Sequence, residues 1–258
     1  DTLDFSRFPA SVLVNLASGD DAKTGDGTKA PEKTLRDIVA ISSVEDVRGT
    51  DYDDILTGNA AANRLHGGKG DDLLDGGKTR DNDELNGDQG DDTIIGRIGA
   101  GRDTIDGGDG SDILDYSGEK RAVLASLEHG DGDDTVENVE WLLGTSFNDT
   151  LLGNDEANVL VGGKGRDRVF TGGGADLIIY TSGIDTVSGG EDSDTVDFGA
   201  FRAAVDVDLG NATHAATTGG KKSFDQGTQR KLMRLPELDV ENAIGSRFDD
   251  RLMGNEGA

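Results

Sequence analysis

Short aliphatic runs recur along this chain every nine residues, and glycine and acidic residues fill most of the positions between them. Two clear examples are GGKGDDLLD at 67–75 and GGDGSDILD at 107–115. The eighth residue of each unit is a large aliphatic, and its two neighbours should face the opposite side of a strand because side chains alternate along β-structure. The pattern therefore predicts very short strands, each with one buried side chain, separated by tight turns.

Fourteen units fit the pattern G-G-x-G-x-D-x-U-x, where U is a large aliphatic, and this repeat is typical of calcium-binding β-helices. Seven units run from Gly49 to Asp115, those beginning at Gly76 and Gly96 being two residues longer, six follow without a gap over 144–197, and one begins at Gly245. The sixth positions are Asp54, Asn63, Asp72, Asp83, Asp92, Asp103, Asp112, Asp149, Asn158, Asp167, Asp176, Asp185, Asp194 and Asp250.

The spacing of glycine and aspartate within a unit favours a metal site. Glycines at positions one, two and four allow positive φ and a tight turn, which can direct several backbone carbonyls inward. The sixth-position carboxylate adds a hard oxygen ligand, and calcium takes six to eight oxygens. If one unit makes half a coil, the loops of units n and n+2 stack, and an ion can lie between them.

These repeats resemble the RTX (repeats-in-toxin) calcium-binding β-roll family. The resemblance implies an all-β fold, a calcium-bound parallel β-roll that forms a right-handed, β-helix-like solenoid in tandem tracts with capping strands. It also implies several calcium ions, each held by sixth-position aspartates and backbone carbonyls of two stacked loops. Family members are secreted by Gram-negative bacteria through type I systems and fold on meeting extracellular calcium.

Loops that keep both glycine and aspartate are the expected ligands, and loops two units apart make five pairs in the first tract and four in the second. The predicted ligand residues are Gly67, Gly68, Lys69, Gly70, Asp72, Gly87, Gln89, Gly90, Asp92, Asp103, Gly107, Gly108, Asp109, Gly110, Asp112, Gly162, Gly163, Lys164, Gly165, Asp167, Gly172, Gly174, Asp176, Gly183, Asp185 and Asp194.

A longer period groups the units into blocks, an organisation that resembles the RTX region of adenylate cyclase toxins and large RTX adhesins. A unit ends in an aromatic, an alternating strand and a variable insert follow, and a new tract opens with an aromatic at its fourth position. The predicted divisions are 1–48 (end of a preceding roll, linker and capping strands), 49–117 (first roll tract), 118–143 (capping strands and insert), 144–199 (second tract), 200–244 (capping strands and basic insert) and 245–258 (start of a truncated third tract).

Several local features carry their own expectations. The opening aromatics Tyr52, Phe147 and Phe248 and the closing aromatics Phe5, Tyr116 and Phe198 are expected to cap the core. Extra residues in the two longer units, including Arg80, Arg97 and Arg102, should protrude side by side. Within the basic insert 210–237, which holds Lys221 and Lys222, KLMRL at 231–235 favours a short helix ended by Pro236.

Charge sets limits on the partners. The formal net charge is −27, from 52 acidic and 25 basic residues, and this repulsion opposes compaction unless cations neutralise it. We therefore expect disorder without calcium. An acidic chain also argues against nucleic-acid binding, and no apolar run is long enough for a membrane span.

The chain has no cysteine, so bound ions rather than disulfides would stabilise it. No signal peptide is present, and the chain begins and ends within repeat units, so we expect a piece of a longer protein.

Catalytic motifs are missing from the sequence. None of the three histidines lies in an H-E-x-x-H pair, and no G-x-S-x-G elbow occurs, so we expect no enzyme. The main hypothesis is a calcium-binding module of a larger type I-secreted protein, extracellular, with calcium, the parent polypeptide and the secretion machinery as partners. The alternatives are a structural or glycan- and surface-binding module of an adhesin and an alginate-epimerase accessory module, which would require a basic groove.

Overall fold

A computed structural model describes residues 1–16, 22–24, 36–39, 44–78, 80–99, 101–128, 130–131, 134–203, 205–209, 216–219, 229–234 and 239–254. All regular structure in this part of the chain is β-strand. None of the described residues forms a helix capable of crossing a membrane. The chain divides into two compact units, residues 1–115 with 128–139 and residues 116–127 with 140–258.

Unit 1 contains two sheets of parallel strands. Its strands are β1 (Thr2–Asp4), β2 (Val12–Asn15), β3 (Ala22–Thr24), β4 (Arg36–Val39), β5 (Asp46–Arg48), β6 (Ile55–Thr57), β7 (Arg64–Lys69), β8 (Leu73–Asp75), β9 (Glu84–Gln89), β10 (Thr93–Ile95), β11 (Thr104–Asp106), β12 (Ile113–Asp115), β14 (Gly130–Asp131) and β15 (Thr135–Glu137). One sheet has the order β1-β5-β7-β9-β11-β15. The other has the order β12-β10-β8-β6-β2, and β3 and β4 extend it in antiparallel pairing. Strand β14 belongs to neither of these two sheets.

Unit 2 has the same two-sided plan. Its strands are β13 (Leu124–Ser126), β16 (Trp141–Leu143), β17 (Thr150–Leu152), β18 (Val159–Val161), β19 (Arg168–Gly172), β20 (Leu177–Ile179), β21 (Asp185–Gly190), β22 (Thr195–Asp197), β23 (Val205–Asp208), β24 (Ala216–Gly219), β25 (Gln229–Arg234), β26 (Asn242–Ile244) and β27 (Arg251–Met253). The parallel series are β26-β22-β20-β18-β16 and β13-β17-β19-β21-β25, and β24 pairs antiparallel with β25 and β23.

Strand register confirms that two repeats complete one coil. Leu56 pairs with Leu74 eighteen residues later, and Leu74 pairs with Ile94 at an offset of twenty, because one longer unit intervenes. Consecutive repeats thus alternate between the two sheets of a unit, and loops two repeats apart stack. The fold is the expected parallel β-roll.

The core of each roll is the column of eighth-position side chains. Leu74 in unit 1 and Leu160 in unit 2 are fully buried, while both flanking residues of each strand are half-buried. Burial of one such side chain stabilises the fold by about 1.5–3 kcal/mol. One aliphatic side chain per half-coil makes a thin core, so the loops must also be held together.

The strands predicted to cap the tracts pair with the roll strands, and the closing aromatics are buried. The alternating strands β2, β13 and β23 pair in parallel with β6, β17 and β27, the first strand of the tract that follows each of them. Phe5, Tyr116 and Phe198 are buried.

The capping expectation is wrong at Phe147, which is 44% exposed. A fourth-position residue lies in the turn, where the N–H of Phe147 binds the Thr145 hydroxyl at 3.0 Å. Tyr52 and Phe248 are half-buried.

Two further expectations need correction. KLMRL contributes to strand β25 and not to a helix, because pairing with β24 and β21 overrides local helix preference. Arg80 and Arg102 are exposed in the longer loops, but Arg97 folds back and its Nε binds Asp75 Oδ1 at 3.1 Å. Most of the basic insert, including Lys221 and Lys222, lies outside the described residues.

Candidate metal sites between stacked loops

Each sixth-position residue of the two tracts lies at the junction between a loop and the strand that follows it. Asp72 immediately precedes β8, and Asp112 and Asp167 immediately precede β12 and β19. The strand fixes the backbone of the aspartate, and the loop turns around its side chain. All the sixth-position aspartates of the two tracts are buried: Asp54, Asp72, Asp83, Asp92, Asp103, Asp112, Asp149, Asp167, Asp176, Asp185 and Asp194.

One carboxylate oxygen of each aspartate holds the stack together. The N–H of Asp54 donates to Asp72 Oδ1 at 2.6 Å, and the N–H of Asp72 donates to Asp92 Oδ1 at 2.7 Å. In unit 2 the N–H of Asp167 donates to Asp185 Oδ1 at 3.0 Å. The same bond recurs at Asp83, Asp103, Asp112, Asp167, Asp176 and Asp194, where Oδ1 accepts from the sixth-position N–H two units earlier.

In several loops the second carboxylate oxygen, Oδ2, accepts no hydrogen bond. Among the described residues, buried Oδ2 atoms without a hydrogen-bond partner belong to Asp72, Asp92, Asp167, Asp176 and Asp194. A buried carboxylate oxygen without a partner is costly. These atoms are therefore where a cation would be most stabilising.

Glycine is needed at three loop positions, for two different reasons. At positions two and four the backbone has positive φ, for example 118° at Gly68 and 103° at Gly70. At position one the reason is space, contrary to our expectation of positive φ there. A Cβ on Gly67 would lie within 3 Å of both Asp72 Oδ2 and the Gly87 carbonyl oxygen.

The predicted glycines repeat this division. Gly87, Gly107 and Gly162 are the crowded first-position residues. The positive-φ residues are Gly90, Gly108, Gly110, Gly163, Gly165, Gly172, Gly174 and Gly183.

Third-position residues contribute backbone, because their side chains are exposed. The N–H of Gly70 donates to the carbonyl of Gln89, and the N–H of Gly90 donates to the carbonyl of Asp109, both at 2.9 Å. Lys69 and Lys164 donate their own N–H groups to the carbonyls of the tract-opening loops, at 3.0 and 3.3 Å. The predicted carbonyls thus lie at the interface of stacked loops, and a carbonyl oxygen has a second lone pair for a further partner.

Burial of the carboxylates raises their pKa values. Burial, aided by the negative charges of Asp54 and Asp92, raises the pKa of Asp72 to about 9. Burial, aided by the charge of Asp167, raises the pKa of Asp185 to about 8. Burial also raises the pKa of Asp83 and Asp92 to about 7, and the pKa of Asp54, Asp167 and Asp194 to about 6. A row of buried carboxylates at neutral pH requires neutralisation.

The donor set fits calcium. It consists only of carboxylate and carbonyl oxygens, the hard ligands that calcium prefers. The described residues contain no cluster of three or more carboxylate, imidazole or thiol groups. In the described loops a calcium ion would therefore be bound mostly by backbone carbonyl oxygens, together with the sixth-position carboxylates.

Comparison with protein families agrees with this chemistry. The model of the RTX calcium-binding nonapeptide repeat matches residues 48–81, 79–100, 99–118, 143–178 and 181–202, together half of the chain. The chain belongs to the RTX calcium-binding repeat family. Its cofactor is calcium, bound as several ions by the repeats. No curated protein shows significant similarity to the chain.

The sequence did not lead us to one RTX-like loop, because it lies within 118–143, which was predicted to hold capping strands and an insert. Asp134 is buried, and its Oδ1 accepts the N–H of Asp103 at 2.8 Å. Val136, two residues later, pairs with Ile105 and is buried in the core. The signal was present in the sequence as GDGDDTVE at 130–137, but the unit lacks a first-position glycine.

Proposed function

We propose that this chain is the calcium-folded module of a larger protein that bacteria secrete through a type I system. Inside the cell, where calcium is scarce, the module stays unfolded and is exported in that state. Outside, calcium binds between the stacked loops, the roll forms, and it holds the folded state of the parent polypeptide.

The observation that carries this proposal is the buried row of aspartates whose Oδ2 atoms have no partner, within a chain of net charge −27. Each loop stack brings carboxylates together in a site that excludes water. Without cations the folded state must bury these charges or protonate them. With calcium the same charges become ligands, so ion binding and folding are one equilibrium.

The proposed ligands are the sixth-position carboxylates and the backbone carbonyls of the predicted loops. Asp72, Asp92 and Asp112 would serve one face of the first tract, and Asp167 and Asp185 the corresponding face of the second. Extracellular calcium is millimolar, and extracellular calcium modules need a Kd of only about 10⁻⁴–10⁻³ M. Weak sites that act together are therefore sufficient for a switch that responds to export.

A calcium titration followed by far-UV circular dichroism tests the proposal. After chelation the chain should show a coil spectrum, and calcium should produce a cooperative β signal that magnesium does not. Magnesium is the matched control because it demands a smaller, near-octahedral site and dehydrates reluctantly. A chain that is already β-rich after chelation, and does not respond to calcium, would refute the proposal.

A further inference from the structure

Two loops of unit 2 have a hydroxyl group where the consensus has glycine and use it to bond to a stacked loop. The hydroxyl of a third residue at such a position, Thr145, bonds to Asp149 within its own loop. The unit that begins at residue 171 has Thr171 at position one, and the unit that begins at residue 180 has Tyr180 and Thr181 at positions one and two. In unit 1 the loops 67–70, 87–90 and 107–110 have no hydroxyl residue at their first four positions. The two units therefore differ at the atoms nearest to the inter-loop space.

Thr171 connects its loop directly to the loop two units later. The side chain is fully buried, and its hydroxyl donates to the carbonyl oxygen of Gly189. Gly189 is the first-position glycine of that next loop. This hydrogen bond joins the stacked loops of 171 and 189 through protein atoms alone.

The stack of the loops at 162 and 180 is joined in the same way. The Thr181 hydroxyl donates to the carbonyl oxygen of Gly163, and the Ser182 hydroxyl reaches the same oxygen at 3.4 Å. Tyr180, which is buried against Phe198 at a ring distance of 5.1 Å, donates its phenol to the carbonyl oxygen of Gly183 at 3.1 Å. Gly163 and Gly183 are both predicted carbonyl ligands, and here each carbonyl accepts a side-chain hydroxyl.

We propose that Thr171 and Thr181 are hydroxyl staples, side chains that join stacked loops in place of a calcium ion. The inference rests on the proposed calcium-coupled folding and refines it. The stacks 162/180 and 171/189 then take no ion of their own, so Asp185 and Asp194 are withdrawn from the calcium ligands proposed above. Unit 2 takes its calcium at 144/162 and 153/171, through Asp167 and Asp176, whose Oδ2 atoms have no partner. Unit 2 consequently folds at a lower calcium concentration than unit 1, where the hydroxyl of Thr50, at position two of the first loop, bonds only within its own loop among the described contacts.

The chain offers a direct probe for this difference. Trp141 is the only tryptophan, and it lies half-buried in β16 of unit 2. Its fluorescence reports folding of unit 2, while circular dichroism reports both units. In a calcium titration of the whole chain, the Trp141 transition is expected at a lower calcium concentration than the midpoint of the dichroism signal.

Substitution of the staples tests their role. Thr171→Val/Thr181→Val removes both hydroxyls while keeping the side-chain shape. Loss of the two hydrogen bonds, one buried and one partly buried, lowers the folding equilibrium constant about thirtyfold. If two ions are taken up together, the Trp141 midpoint should rise about fivefold, the square root of that factor. Thr186→Val is the matched control, because it removes a hydroxyl from strand β21 of the same unit, outside the loops.

A second variant keeps the test independent of lost stability. Thr171→Gly/Thr181→Gly restores the consensus glycines and is expected to bind up to two more calcium ions than the parent chain, counted by native mass spectrometry at saturating calcium. The proposal that Thr171 and Thr181 act as hydroxyl staples would be overturned if both double variants bind the same number of calcium ions as the parent and show the same Trp141 midpoint. A parent chain without any calcium response would instead refute the proposed function itself.

Discussion

Acid should partly replace calcium in folding this chain. Asp72 and Asp185 have pKa values of about 9 and about 8 in the folded chain, raised mainly by burial, against an ordinary value of 3.8 for an unfolded aspartate. The folded state therefore binds more protons than the unfolded state between these values. Stability from these groups is fully present below pH 3.8 and is lost as the pH rises through the folded pKa values.

The magnitude can be worked from Asp72. Lowering the pH from about 7.5 to about 5 stays between the unfolded and folded pKa values of this group, so each pH unit contributes about 1.4 kcal/mol. The calcium-free fold should gain about 3 kcal/mol from Asp72 alone over this range. A gain of that size is comparable with a large part of the stability of a small domain. The lower pH limit of about 5 stays above the isoelectric point of about 4.2, because aggregation near the isoelectric point would interfere with the measurement.

Far-UV circular dichroism in a chelator, recorded as the pH is lowered, measures this effect. The β signal should increase toward pH 5 without any metal. Asp72→Asn removes the titrating group, so the variant should be more structured than the parent at pH 7.5 in chelator and should gain less on acidification. Asp109→Asn is the matched control, since it removes one negative charge from an exposed third position of a loop.

Two results would contradict this reasoning. A calcium-free chain that is equally unstructured at pH 7.5 and pH 5 would show that carboxylate burial is not the main barrier to folding. Equal responses of Asp72→Asn and Asp109→Asn would show that the effect comes from net charge and not from the buried site.

Three further outcomes follow from the packing, each measured by urea denaturation in saturating calcium. Gly67→Ala should destabilise the roll by about 2 kcal/mol or more, because its Cβ would lie within 3 Å of two oxygens. Gly118→Ala is the control and should be nearly neutral, because its Cβ meets nothing within 4 Å. Equal effects of the two substitutions would argue against crowding at position one. Leu74→Ala should lower the free energy of unfolding by about 2–5 kcal/mol. Leu124→Ala, at a site that is 58% exposed, should lower it by about 0.5 kcal/mol or less. Similar losses for both variants would contradict the assigned core. Asp134→Ala should lower the free energy of unfolding by about 1–3 kcal/mol, because the N–H of Asp103 loses its acceptor. If this variant is as stable as the parent, the loop at Asp134 is not part of the stack.

The repeat, together with its resemblance to the RTX β-roll, predicted the architecture, because the nine-residue period places consecutive units in alternate sheets. Leu56, Leu74 and Ile94 could be assigned to one buried column from spacing, and their pairing follows that assignment. The aspartates could be placed at the loop junctions for the same reason. A nine-residue period with one aliphatic per unit leaves few other ways to bury a core.

Details that depend on contacts between distant segments were not predictable. The helix expected at KLMRL gave way to strand β25, because it pairs with β21 of the roll and with β24, which lies in a segment with no periodic signal. Phe147 was expected inside, and its exposure depends on the turn closed by the Thr145 hydroxyl. Asp134 was missed because its unit lacks the first-position glycine, and only its hydrogen bond to the stack reveals it.

The choice between aspartate and asparagine at position six follows from the two oxygens of the carboxylate. In Asp72 one oxygen accepts the N–H of the preceding stack and the other has no partner. In Asn63 the single oxygen accepts the N–H of Asn59 at 2.7 Å, and the amide Nδ2 donates to the carbonyl of Glu45 at 3.1 Å. Both groups of the Asn63 amide thus have partners without a cation, whereas Asn158 accepts the N–H of Asn154 at 2.8 Å and its buried Nδ2 has no partner.

The tract-opening loops are also closed by protein atoms, since the N–H of Thr50 donates to Asp54 Oδ2 at 2.6 Å. The first two loops of the first tract thus form a start that needs less calcium than the loops after them. Cation demand begins at the third unit, where glycine at position two offers no side chain and the carboxylate oxygen of Asp72 is left without a partner. A roll built in this order can begin on its own hydrogen bonds and be completed only where calcium is present.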